Sequence, residues 1–151
     1  MKSSGESQIS GFEHLTVDEI MEKQVQSAYD KTKADVLASS MVEGFGSIPI
    51  VDQQQRLIGI VSEYDLLTAL GRGRPWNDLA AYEIMTRHPA SVTPKTSIAT
   101  LIGILQSSRF IRMPVVDSQG KLIGVVARRD ILRAYLNSNS EPDWSGIMGY
   151  W

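Results

Sequence analysis

Two short segments of the chain place a carboxylate at the same point after an apolar run. The segment SEYDLL begins at Ser62 and carries Asp65, and the segment ARRDIL begins at Ala127 and carries Asp130. The preceding runs, LIGIV and LIGVV, are typical of buried strands, and a helix is predicted to follow each. A carboxylate there can stabilise the first turn of the helix, or it can accept hydrogen bonds from both vicinal hydroxyls of a ribose. The residues leave both roles open.

The residues beside the two aspartates differ in charge. Arg128 and Arg129 of the second segment replace Glu63 and Tyr64 of the first, and Arg112 lies upstream of them. Arginine binds phosphate through charge-assisted hydrogen bonds, so the second segment is predicted to favour a polyphosphate and the first a ligand of lower charge. A solvated basic helix face is the alternative interpretation of the arginines.

Composition excludes several classes of function. The 151 residues are 42% hydrophobic and 21% charged, which is typical of globular proteins. The net charge of −2 argues against non-specific nucleic-acid binding, and the absence of cysteine excludes disulfides, thiolate metal sites and a cysteine nucleophile. The apolar stretch IATLIGIL is too short to span a membrane. His14 and His88 lack metal-ligand spacing. We expect a cytoplasmic protein that is not an enzyme and has no metal site.

The chain contains the same pattern twice. The segment EIMEKQVQSAYDKTKADVLASSM aligns with EIMTRHPASVTPKTSIATLIGIL, and IPIVDQQQRLIGIVSEYDLLTAL aligns with MPVVDSQGKLIGVVARRDILRAY. Each copy predicts a short strand, an amphipathic helix, an antiparallel hairpin and a closing helix, in the order β-α-β-β-α. A copy of about 55 residues is too small to be stable alone, so we expect the two copies to pack against each other.

The repeat also predicts the boundaries of the chain's parts. They are a flexible N-terminal segment at 1–12, repeat one at 13–70, a linker at 71–80, repeat two at 81–136 and a C-terminal tail at 137–151. The tail holds Trp144, Tyr150 and Trp151, and we expect it to dock because exposed aromatic surface is unfavourable. Apolar residues on more than one face of the helices predict a homodimer.

This repeated pattern resembles the CBS domain pair, or Bateman module. The resemblance rests on EIM at both starts, on IPIVD and MPVVD, and on LIGIVSEYDLL and LIGVVARRDIL, and it covers about 16–135. It implies an α/β (α+β) fold with two repeats related by a pseudo-two-fold axis. It also implies two clefts for adenosine-containing ligands such as AMP, ADP, ATP or S-adenosylmethionine. A dimer, a regulated protein partner and the absence of catalysis or a catalytic cofactor are further implications.

The resemblance also transfers a ligand motif, in which an apolar-x-x-apolar-Pro turn is followed by Ser/Thr-x-x-Asp. The first copy contains every position, whereas the second has Ala127 where Ser or Thr is usual. A structural dimerisation or interaction module without bound nucleotide is the alternative function. The predicted nucleotide-binding residues, which include the three arginines, are Phe45, Ile48, Pro49, Ser62, Asp65, Phe110, Arg112, Met113, Pro114, Arg128, Arg129 and Asp130.

Overall fold

The computed structural model describes residues 12, 14–44, 46–108, 110–139 and 143–146. Its helices and strands confirm the predicted β-α-β-β-α order and add a short helix at the start of each repeat. In repeat one they are α1 (Val17–Ile20), β1 (Ala28–Tyr29), α2 (Ala34–Glu43), β2 (Ser47–Val51), β3 (Leu57–Ser62) and α3 (Glu63–Gly71). In repeat two they are α4 (Ala81–Ile84), β4 (Thr86–Arg87), α5 (Ile98–Ser108), β5 (Arg112–Val116), β6 (Leu122–Ala127) and α6 (Arg128–Asn137).

Both predicted hairpins are antiparallel. Strands β2 and β3 pair in one sheet, and β5 and β6 pair in another. Strand β1 lies parallel to β2, whereas its counterpart in repeat two is a single parallel bridge between Val92 and Val115. The hairpin turns meet, since the Leu57 N–H donates to the Gly120 carbonyl and the Leu122 N–H to the Gln55 carbonyl, both at 3.0 Å. This reciprocal contact is what a pseudo-two-fold axis between the repeats requires.

The first residues of each repeat pair with the other repeat. Strand β4, at the start of repeat two, pairs antiparallel with β3 of repeat one. In the same way, Glu22 of repeat one exchanges two backbone hydrogen bonds with Val125 of β6, at 2.8 and 2.9 Å. The two sheets are therefore completed by exchanged segments, which ties the repeats into one unit.

Two glycines allow this exchange by letting the incoming segments approach closely. A Cβ at Gly59 would overlap the Met85 sulfur and lie 3.1 Å from the Thr86 carbonyl oxygen. A Cβ at Gly124 would lie 2.6 Å from the Met21 sulfur and 3.1 Å from the Glu22 carbonyl oxygen. A side chain at either position would require the methionine to move and the neighbouring backbone carbonyl to shift by a few tenths of an ångström.

The core consists of two apolar clusters, and each includes residues from outside the regular repeat. The cluster of repeat one contains Leu79 and Ala81, and Trp76 packs against it. The indole N–H of Trp76 donates to a backbone carbonyl of α3 at 3.1 Å, so the predicted linker is docked on repeat one. The cluster of repeat two contains Phe12 and Val17.

Phe12 corrects the expectation of a flexible segment through residue 12. Its side chain is 7% exposed, and its ring meets that of Tyr135 edge to face at 5.4 Å. An aromatic side chain that finds an apolar surface is buried for the free energy of removing it from water. In the predicted tail, the backbone of Trp144–Gly146 forms a 3-10 turn. The docking predicted for Tyr150 and Trp151 lies outside the described residues.

Candidate functional site

A cleft of about 440 Å³ lies between the two repeats. Ser62 and Asp65 contribute from the start of α3 in repeat one, and the opposite wall comes from residues 110–114 in repeat two. Six of the predicted residues line it, namely Ser62, Asp65, Phe110, Arg112, Met113 and Pro114. The cleft therefore combines the Ser-x-x-Asp turn of one repeat with the proline turn of the other.

The pseudo-two-fold axis passes beside this cleft. A small gap of about 10 Å³ adjoins it, and the residues that line the gap form equivalent pairs from the two repeats. These pairs are Ser47 with Arg112, Pro49 with Pro114, and Ile60 with Val125. Residues at the start of β2 and of β5 therefore lie close to the axis and near both repeats.

Ser62 and Asp65 cap helix α3 reciprocally. The Asp65 Oδ2 atom accepts the Ser62 backbone N–H at 2.8 Å and the Ser62 hydroxyl at 3.0 Å. The Asp65 backbone N–H lies 3.2 Å from the Ser62 Oγ atom, which accepts it. This arrangement satisfies two donors at the helix start, and it confirms the capping role that the sequence left open. Contact of these residues with a ligand stays a prediction.

The start of α6 retains half of this arrangement. The Asp130 Oδ2 atom accepts the Ala127 backbone N–H at 2.8 Å, and its Oδ1 atom accepts the Arg133 Nη1–H at 3.2 Å. Ala127 has no hydroxyl to offer in return. Its backbone angles (φ −120°, ψ 163°) nonetheless match those of Ser62 (φ −109°, ψ 166°), so the two helices begin in the same conformation.

Arg112 lines the cleft that contains Ser62 and Asp65, whereas the sequence grouped it with Asp130, whose carboxylate also lies near it. The reason is its place at the start of β5, close to the pseudo-two-fold axis. Burial lowers the pKa of the Arg112 guanidinium, and the nearby carboxylate of Asp130 opposes that change. Because an arginine stays protonated under all ordinary conditions, the cleft has a partly buried positive charge.

Arg128 and Arg129 do not join Arg112 in this cleft, contrary to the predicted arginine cluster. The Arg128 Nε–H donates to the Phe110 carbonyl at 2.8 Å, and the Arg128 backbone N–H donates to the Ile111 carbonyl at 3.0 Å. Both arginines are exposed, and Arg128 lines a groove between α5 and α6, whereas Arg129 lines neither that groove nor the cleft. Consecutive residues on a helix point in different directions, so adjacency in sequence did not make them one site.

The remaining predicted residues lie in several places. Ile48 is 3% exposed in the core of repeat one, and Pro49 is buried beside the axis. Phe45 lies outside the described residues. Sequence reasoning missed that Thr86 and Pro89, which follow the second EIM, line the cleft. The exchange of segments brings them there, and the only sequence signal was the repetition of EIM itself.

Two further findings concern metals and membranes. Among the residues that the structure describes, no three His, Cys, Asp or Glu side chains group in a way that could hold a metal ion. No helix within the same residues is both long enough and apolar enough to cross a bilayer.

The fold and cleft define a two-repeat α+β module with a ligand-sized cavity at the repeat interface. The sequence model of the CBS domain matches residues 17–72 and 81–137, which together are most of the chain. The chain therefore belongs to the CBS domain family and contains a CBS domain pair.

Known relatives share this organisation. The crystal structure of CBSX2 in complex with AMP superposes with a TM-score of 0.72 at 30% identity, covering 82% of this chain and 97% of that one. The CBS domain pair of protein MJ0100, with 5′-methylthioadenosine and S-adenosyl-L-methionine, shares the fold with a TM-score of 0.71 at 23% identity, covering 82% of this chain and 98% of that one. The chloroplastic CBS domain-containing protein CBSX1 of Arabidopsis thaliana is 29% identical over 136 residues. That match covers 72% of this chain and 56% of CBSX1.

Proposed function

We propose that this CBS domain pair is a regulatory module that binds an adenosine-containing nucleotide in the cleft between its repeats. One observation carries the proposal. The cleft joins a carboxylate at a helix start, Asp65, to a partly buried guanidinium, Arg112, from the other repeat. The AMP in the CBSX2 structure supports this class of ligand.

The cleft supplies a suitable group for each part of a nucleotide. Asp65 uses Oδ2 for both of its capping contacts, and its second carboxylate oxygen is the candidate acceptor for a ribose hydroxyl. Met113 and Pro114 offer an apolar slot for adenine. Arg112 would bind a phosphate through charge-assisted hydrogen bonds. The volume of about 440 Å³ is within the usual range for small-molecule sites.

The charge of the cleft favours AMP over ATP. Among the residues that the structure describes, Arg112 is the one arginine that lines the cleft, and Glu63 contributes a carboxylate to the same lining. A triphosphate would bring negative charge toward Glu63 that the guanidinium of Arg112 offsets only in part. We therefore infer that AMP binds more tightly than ATP in the absence of a divalent cation.

Calorimetric titration with AMP, ATP and adenosine tests the proposal. We expect Arg112→Gln to weaken AMP binding by roughly 10- to 100-fold, the value of one charge-assisted hydrogen bond, and to leave adenosine binding within about twofold. Asp65→Asn should weaken the binding of both AMP and adenosine. Arg129→Gln is the matched control, because Arg129 is exposed and does not line the cleft. Equal loss of AMP and adenosine binding in Arg112→Gln would contradict the phosphate role.

We also propose a homodimer that passes its ligand state to a protein partner. Large apolar side chains on α3 and α6 support an interface, since Leu67, Leu70, Leu132 and Leu136 are 63%, 55%, 65% and 51% exposed. Sedimentation should show a dimer at tens of micromolar, and a stable monomer would oppose it. A dimer that binds none of the three titrated ligands would favour the nucleotide-free interaction module. Location in the cytoplasm stays a prediction.

A further inference from the structure

A second cavity lies apart from the nucleotide cleft, where the hairpin turns of both repeats meet α4 and β4. This cavity, the hairpin pocket, has a volume of about 600 Å³. Leu57 of the first turn and Gly120 of the second line it, together with Tyr82 of α4 and Arg87 of β4. No residue that the structure describes lines both the hairpin pocket and the cleft. A ligand in one cavity therefore needs no side chain from the other.

Part of the hairpin pocket is lined by apolar side chains. Leu57, Ile58 and Met85 belong to this lining, and all three are half-buried. Ile58 and Met85 also pack against the buried cluster of repeat one, which limits their movement. The ring of Tyr82, 46% exposed, adds an aromatic surface. This lining suits the apolar or aromatic side chain of a small ligand.

Two aspartates and two arginines among the described residues line the same pocket, and one pair of them is already satisfied. The Arg56 Nε–H donates to Asp52 Oδ2 at 2.8 Å, and Asp52 Oδ1 accepts two backbone N–H groups of its own turn at 2.9 Å. By contrast, the Asp30 carboxylate and the Arg87 guanidinium form no hydrogen bond or ion pair with any residue that the structure describes. The pocket thus offers one carboxylate and one guanidinium to a ligand.

The fold itself requires neither of these groups. The alignment of the repeats pairs Asp30 with Pro94, which has no carboxylate. It pairs Arg87 with Lys23, whose single ammonium lacks the two parallel donors with which a guanidinium binds a carboxylate. The same backbone pattern is therefore built at the pseudo-symmetric place without this pair of charges.

His88, which follows Arg87 and also lines the pocket, has an unusual backbone conformation. Its φ of 50° lies in the left-handed region, which residues with a side chain seldom adopt. In the described part of the chain, Gln55 is the other non-glycine residue with a positive φ, and it lies in a tight hairpin turn. Gln24, the equivalent of His88, does not share the conformation. Backbone strain of this kind is concentrated at binding sites.

We propose that the hairpin pocket binds a zwitterionic α-amino acid with an apolar side chain. Arg87 binds the α-carboxylate, Asp30 accepts hydrogen bonds from the α-ammonium group, and Leu57, Ile58 and Met85 contact the side chain. The two aspartates and two arginines of the lining balance in charge, which favours a zwitterion over phosphate or another anion. Binding at this site is independent of the proposed nucleotide.

A nuclear magnetic resonance titration of the full chain with L-leucine tests the proposal, because amide shifts report both affinity and location. The matched probes are isocaproate, which is leucine without its ammonium group, and isopentylamine, which is leucine without its carboxylate. We expect leucine to shift the amides of residues 56–58 and 85–88 and to bind about three- to tenfold more tightly than either probe. Shifts confined to residues 110–114 would place leucine in the nucleotide cleft and overturn the proposal.

Isosteric variants assign each charge. Arg87→Gln should remove the preference for leucine over isopentylamine, and Asp30→Asn should remove the preference over isocaproate. Each should weaken leucine binding by about three- to tenfold, with an unchanged urea midpoint. Lys23→Gln is the matched control, since Lys23 is exposed and pseudo-equivalent to Arg87. Unchanged leucine affinity in Arg87→Gln or in Asp30→Asn would show that the charge does not contact the ligand, and it would overturn the assignment.

Two further results would overturn the proposal. One is the absence of a saturable shift with L-leucine, L-methionine and L-phenylalanine, each at about 10 mM, since weaker binding lies below the affinity expected of a specific site. The other is saturable binding of inorganic phosphate that Arg87→Gln removes, in a chain that does not bind leucine. That result would define an anion site in place of an amino-acid site.

Discussion

The variants Ser62→Ala and Ala127→Ser should change the free energy of unfolding in opposite directions. In Ser62→Ala, the Asp65 backbone N–H loses the hydroxyl that accepts it at 3.2 Å, and Oδ2 of Asp65 loses a donor at 3.0 Å. In Ala127→Ser, a new hydroxyl is introduced where Asp130 already accepts the backbone N–H. The matching backbone angles at positions 62 and 127 predict that this hydroxyl reaches the Asp130 N–H.

The magnitude follows from helix capping. Replacement of a capping serine by alanine costs about 1 kcal/mol, within a range of roughly 0.5–2 kcal/mol. We therefore expect Ser62→Ala to lower the free energy of unfolding by about 1 kcal/mol and Ala127→Ser to raise it by roughly 0.5–1 kcal/mol. The two helix starts are separate, so the double variant should lie close to the wild type.

Urea denaturation followed by circular dichroism measures these differences at constant m-value. The same variants should be titrated with AMP, since loss of one hydroxyl hydrogen bond to a ligand costs about 0.5–1.5 kcal/mol. A Ser62→Ala variant of unchanged stability would refute the capping role. If Ala127→Ser leaves stability unchanged while Ser62→Ala lowers it, the two helix starts are not equivalent and the reasoning from their backbone angles fails.

Three further outcomes are expected. Gly59→Ala and Gly124→Ala should each lower the free energy of unfolding by about 1–3 kcal/mol, because the added methyl group overlaps a methionine side chain and crowds a carbonyl of the exchanged segment. Urea midpoints check this, and unchanged midpoints would contradict the close approach. Trp76→Phe should lower the free energy of unfolding by roughly 0.5–1.5 kcal/mol, because the indole hydrogen bond is lost. Unchanged thermal unfolding would show that the linker docks without this hydrogen bond. A hydrogen bond from the Ala80 backbone N–H, at the start of α4, lowers the pKa of Glu83, and a hydrogen bond from Arg74 lowers it further. Its contribution to stability is present above the unfolded pKa of about 4.3 and is lost as pH falls through the lower folded value, so Glu83→Gln should make unfolding less dependent on pH below about 4.5.

The repeat and its elements could be predicted from sequence because their signals are local. Ala34, Leu37, Ala38 and Met41 recur at helical spacing, and all four are buried in the structure. The hairpins follow from short apolar runs joined by compact turns, and the structure pairs them antiparallel. Backbone periodicity determines which face of an element is apolar, and that information is contained within a few neighbouring residues.

The composition of the cleft could be predicted only in part. Ser62, Asp65 and four residues of the second proline turn were predicted as binding residues, and all six line one cleft. The motif did not show that the Ser-x-x-Asp turn of one repeat meets the proline turn of the other. Nor did it show that Arg112 lies beside the axis while Arg128 lies along a helix groove.

The sequence by itself therefore determined the two β-α-β-β-α repeats, the carboxylate at each helix start and the opposite charges of the two closing helices. Only the tertiary structure decided that Glu22 and β4 pair with the opposite repeat, and that Arg112 lies in the cleft with Asp65. Periodicity reports that a surface is buried without identifying the surface that covers it. The element that covers a buried surface is determined by shape complementarity between residues far apart in the sequence. Here Gly59 and Gly124 leave the space for an incoming backbone segment.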